Sequence, residues 1–139
     1  MIDHTQLQTD FGFSCDSALW SIITALNYCG LKTTQCCQGN LNGTNAYIVF
    51  DNISHATWLM EKLQKRDQQT YLTIRNDMFW EVAWPVNWDS RYITKVGVTL
   101  RFPFHRIEYV TDLFIRTLVE AGVLSKTMFN IDNNMISCH

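Results

Sequence analysis

The residues with the most chemical potential in this sequence stand together: Cys36, Cys37, Gln38 and Gly39. A thiolate beside a base is a nucleophile, and a strand that ends in such a string can turn successive backbone N–H groups toward a hollow that holds an anion such as phosphate. Gly39, and Gly43 after it, would let a ligand approach the main chain closely. Adjacent residues of a strand point to opposite faces, so only one of the two thiols can face such a hollow. Against these readings stand plainer ones. No histidine is tied to either thiol by spacing, which favours inert buried thiols. The Lys-Ser/Thr of a full phosphate loop is also missing, which favours ordinary turn glycines.

Arg75, Arg101 and Arg106 form the second group of interest, because guanidiniums fork onto phosphates. Trp80, Trp84 and Trp88 recur every four residues, which on a strand places all three on one face. Indoles beside arginines can stack on and neutralise a nucleotide; sheet-core indoles and solvated arginines are the bland alternative. The expected ligand-binding set is Cys37, Gln38, Gly39, Arg75, Trp84 and Arg101. No metal site is expected, since neither Cys-x2-4-Cys nor His-x3-5-His spacing occurs, and Cys138-His139 lies at the far end of the chain. His4, His55 and His105 are isolated, and Asp51, Asp77, Glu81 and Asp89 are not spaced to force a shared metal or an acid and base pair. No catalytic residue and no cofactor is assigned.

These groups must be carried by a scaffold, and composition bounds it. With 139 residues, 47% hydrophobic and 17% charged, the chain suits one globular domain with its own core. Five Trp, five Tyr and eight Phe exceed what a small core needs and point to a pocket or an interface. A net charge of -2 gives no general attraction to polyanions, so nucleic acid is not the expected partner. No apolar run is long enough to cross a bilayer, no leader is recognisable, and five cysteines at irregular spacing suit free thiols in a reducing compartment. The expected location is cytoplasmic.

Periodicity predicts a helix over 14–30, with Ser14 or Asp16 as cap and Gly30 as terminator, and further helices over 54–66 and 106–121. Strands are predicted over 32–37, 46–51, 71–75, 79–86 and 92–102, with a glycine- and asparagine-rich loop over 38–45. Asn87-Trp88-Asp89-Ser90 should turn the fourth strand into the fifth as a hairpin. In the last strand Tyr92, Thr94, Val96, Val98, Leu100 and Phe102 share one face, which leaves Arg101 on the other. The fold class is α+β: a two-layer sandwich of a mostly antiparallel sheet of about five strands with three helices. It spans 1–124 as a single domain, with a C-terminal extension over 125–139.

The run Gly30-Leu31-Lys32-Thr33-Thr34-Gln35-Cys36-Cys37-Gln38-Gly39, followed by Ala46-Tyr47-Ile48-Val49-Phe50, resembles a pattern in small uncharacterised bacteriophage proteins. There a helix ends in Gly, a Thr-rich strand ends in Ser-Cys-x-Gly-His, and a Tyr-Ile-x-Phe strand follows. The run is also distantly similar to the Ser-Cys-Ser-Gly segment of tRNA wybutosine methyltransferases, which use S-adenosylmethionine. The likeness is confined to segment 30–50 and departs at two places, with Cys36 where Ser is usual and Asn40 where His is usual. The resemblance implies a viral setting, and the missing His favours binding over catalysis. The expected function is therefore a non-enzymatic phage-type binding protein in the host cytoplasm. Its partner would be a nucleotide-like small molecule or a host defence protein, and it could self-associate as a homodimer or higher oligomer. The alternatives are an RNA-directed transferase or nuclease using the Cys36–Gly39 loop, and an interaction module that acts through its Trp-rich hairpin.

Overall fold

The computed structural model of the chain describes residues 4–39, 44–83 and 97–125. Among the described residues, two antiparallel sheets and four α-helices make up an α+β fold. Strands β1 (Gln6–Gln8) and β2 (Ser14–Asp16) form a small hairpin in the register Gln6↔Asp16. A turn of 3-10 helix (Ser17–Leu19) leads into α1 (Trp20–Tyr28). The main sheet then collects β3 (Thr33–Cys37), β4 (Ala46–Phe50), β5 (Phe79–Ala83) and β6 (Gly97–Phe102) in the order β3-β4-β6-β5, every pair antiparallel. Helices α2 (Ile53–Gln64) and α3 (Gln68–Asp77) lie between β4 and β5, and α4 (Ile107–Glu120) follows β6.

The strands alternate as their sequences require. In β4 Ala46, Ile48 and Phe50 are fully buried, while Tyr47 and Val49 between them are half-buried. In β6 Val98, Leu100 and Phe102 turn inward and Arg101 is exposed, but Thr99 on the outer face is buried too. The inner face meets α2, which touches both β4 and β6, and α4 carries Val110, Phe114 and Leu118 into the same core. Helix α1 ends as its glycine predicts. Gly30 sits at φ +81°, its N–H reaches the Asn27 carbonyl at 3.1 Å, and the Leu31 N–H reaches back to Leu26 at 2.9 Å, the paired bonds of a Schellman ending. Gly122 ends α4 with the same bond pattern.

Several expectations are corrected. The helix expected from residue 14 starts only at Trp20, because residues 14–16 are drawn into a strand by pairing with β1. Neither Ser14 nor Asp16 caps it by a side-chain bond. The strand expected over 71–75 is the middle of α3. Its apolar, β-branched run fits either period, and the decision lies outside it: Asp67 accepts the Thr70 N–H at 2.7 Å as an N-cap, and Thr70, Thr73 and Ile74 bury at helical spacing. Instead of one two-layer sandwich with about five strands and three helices, the described residues form two sheets, of two and four strands, and four α-helices. The Asn87–Ser90 turn, the first residues of the long strand, Asn40, Gly43, Trp84, Trp88 and the tail beyond Ser125 lie outside the described residues.

Candidate functional site

The end of β3 is where the two sheets meet, and the contact is polar. The backbone N–H of Gln38 donates to Asp16 Oδ2 at 2.9 Å. The N–H after Cys37 is thus taken up by the protein's own carboxylate and is not turned toward a ligand hollow. The Gln38 side chain is likewise committed: its Oε1 accepts the Ala18 N–H at 3.3 Å, at the start of the 3-10 turn before α1, and the residue is 2% exposed. Gly39, at φ +70°, lies so near the main chain of 44–45 that a Cβ would fall 2.2 Å from the Thr44 carbonyl oxygen. Gln38 and Gly39 therefore build the corner rather than line an open cradle.

Asp16 is the hub of that corner. It is buried, its Oδ1 accepts the Gln6 side-chain amide, and its Oδ2 lies 3.1 Å from His4 Nδ1. Cys37 completes the group, since the ligand atoms of His4, Asp16 and Cys37 all lie within 4.8 Å of one another. Cys37 is half-buried on the outer side of β3, opposite Tyr47, which is in turn opposite Arg101. The Arg101 guanidinium lies over the Tyr47 ring, 5.5 Å from its centroid. One cross-strand row thus joins Cys37, Tyr47 and Arg101, and at the usual strand spacing Cys37 and Arg101 are about 10 Å apart along it.

The neighbouring thiols fall on the other side. Cys15 and Cys36 precede Asp16 and Cys37 by one residue, so strand alternation turns both inward, against the core. A hydrogen bond between the two thiols holds Cys36 below the ordinary thiol range and, with burial, pushes Cys15 far above it. Both line a cleft of about 270 Å³ with Gln6, Phe13, Thr34 and Tyr47. A larger hollow of about 490 Å³ opens beside Ser21, Glu108 and Asp112, and none of the sequence-derived candidates lines it.

Of the six candidates, Cys37, Gln38, Gly39 and Arg101 belong to this corner and row. Arg75 does not: it is exposed on α3, a helix that packs against α2, so it does not share a sheet face with Arg101. Trp84 lies outside the described residues. Trp80, the first indole of the stripe, stacks on Phe50 at 5.9 Å; it pairs with Leu100 on the inner face, while Arg101 points out. Arg106 precedes α4 and spreads over Tyr109 at 4.3 Å. His4 and Asp16 were missed because the only signal, an alternation over 14–16 facing a second polar-apolar alternation over 6–8, is too short to stand out.

No family model, no curated protein and no solved structure matches this chain.

Proposed function

We propose that the chain is a binding protein whose ligand is anionic and carries a flat ring, as a nucleotide does, and that it is held on the outer face of the sheet along Cys37, Tyr47 and Arg101. The observation that carries this reading is the row itself. The Arg101 guanidinium lies over the Tyr47 ring, so a cationic plane and an aromatic plane stand side by side, with the half-buried Cys37 next in the row. Binding is preferred to an RNA-directed enzyme with the Cys36–Gly39 loop at its centre, because such an enzyme needs that loop open. Here Gln38 is engaged with Asp16 and Ala18, and Gly39 lies against 44–45.

The resemblance to bacteriophage proteins supplies the proposed setting: a counter-defence role in the host cytoplasm, sequestering a signalling nucleotide or engaging a host protein. Among the described residues no helix is long and apolar enough to cross a membrane. Calorimetry against a panel of cyclic nucleotides and ADP-ribose derivatives tests the reading. A saturable heat with one of them that falls at least tenfold in affinity in Arg101→Ala is the expected result, on the scale of one lost charge-assisted contact, about 1.5–3 kcal/mol. Absence of heat across the panel, or an affinity unchanged by Arg101→Ala, removes it.

A further inference from the structure

The geometry points to a transition-metal site, best suited to zinc, formed by His4, Asp16 and Cys37. It shares Cys37 with the proposed nucleotide row, but it stands on the cluster at the strand corner and needs neither Arg101 nor Tyr47. The three residues come from three places in the chain, the lead into β1, the end of β2 and the end of β3, and supply one nitrogen, one oxygen and one sulfur donor. Zinc is bound by such donors at about 2.0–2.3 Å, and a tetrahedral ion with those bonds holds its ligands about 3.3–3.7 Å apart. His4 Nδ1 and Asp16 Oδ2 already stand 3.1 Å apart, and all three donor atoms fall within 4.8 Å. Closing all three on one ion needs the longest of these separations to shrink by no more than about 1 Å.

The surroundings have the second layer that such sites use. The Gln6 amide donates to Asp16 Oδ1 and the Gln38 N–H to Oδ2, which fixes the plane of the carboxylate before any ion arrives. Gln6 is itself held by the hairpin register opposite Asp16. The His4 side chain is 34% exposed, so an ion can enter from solvent, while Asp16, at 8%, gives the site a buried floor. A dianionic Asp and thiolate pair with one neutral imidazole matches the charge of a divalent ion and disfavours calcium or magnesium, which want oxygen donors alone. Three protein ligands leave one coordination position, open to water or to an anionic group of a ligand.

The test uses the full chain, stripped with chelator under reducing conditions and titrated with Zn2+ by calorimetry and with Co2+ by absorption. One Zn2+ per chain is expected, together with a cobalt spectrum containing a thiolate charge-transfer band. Cys37→Ser, whose fold is checked by circular dichroism, should lose that band. Gln6→Ala, which touches no ion, should keep the band and lose affinity by about 10- to 100-fold, the usual effect of removing an outer partner. A chain that binds neither ion overturns the proposal. So does a cobalt band that survives Cys37→Ser and disappears in the Cys15→Ser/Cys36→Ser double variant, since that assigns the ion to the inner thiols.

Discussion

At the scale of single residues, the corner after β3 is set by atoms that have no alternative. Gly39 cannot be exchanged for a residue with a Cβ, both because φ +70° is strained for L side chains and because the Thr44 carbonyl occupies the space. Gly39→Ala should destabilise the fold by more than about 1 kcal/mol, read as a lowered midpoint in urea; an unchanged midpoint would mean that the 39–44 approach does not persist in solution. The thiols give a second expectation. Burial lifts Cys29 to about 11, and the Cys36 bond with burial lifts Cys15 further, whereas Cys36 is held low by the thiol beside it. Near neutrality iodoacetamide should therefore modify Cys36 ahead of Cys15 and Cys29, as peptide mass mapping would show. Equal rates at the three would contradict the thiol–thiol contact. Composition makes these cysteines legible as free thiols, and Cys15, Cys29, Cys36 and Cys37 are free; which of them hydrogen-bond is not legible, because Cys15 and Cys36 are 21 positions apart.

Among the elements, α3 shows how a local cap decides what an ambiguous apolar run becomes. Asp67 is held below the usual carboxylate range chiefly by the Thr70 backbone N–H it accepts, so it favours the folded state when ionised. Its folded value is depressed, so this contribution is present above the unfolded value, near 3.8, and is lost as pH falls through the lower folded value. Thermal melts should show Asp67→Ala less stable than the parent near neutrality, with the gap narrowing in acid below the folded value. A gap independent of pH would show that the carboxylate is not the cap. The N-terminal hairpin is the other element that matters, because it brings Asp16 to β3. Its strands have three residues each and its β1 residues are exposed, so no hydrophobic run announces it.

At the scale of the molecule, a hydrophobic core among the described residues joins the inner sheet face to α1, α2 and α4, with Leu100 fully buried in it. Leu100→Ala should cost about 2–5 kcal/mol by denaturant unfolding, and a loss under about 1 kcal/mol would be incompatible with that placement. Most of this core is legible in the sequence. Alternation in 46–50 and 97–102 and helical spacing in 53–64 and 107–120 are local patterns that burial only has to obey. The sequence also determined that α1 and α4 end at Gly30 and Gly122, since a left-handed ending is a property of the residue. The company each polar residue keeps is settled by the assembled fold. Arg75 moved onto a helix, Trp80 went inward, and His4, Asp16 and Cys37 converged although no spacing links them. Residues far apart in sequence meet only where strand order and register bring them together, and register is fixed by how all the apolar faces close at once.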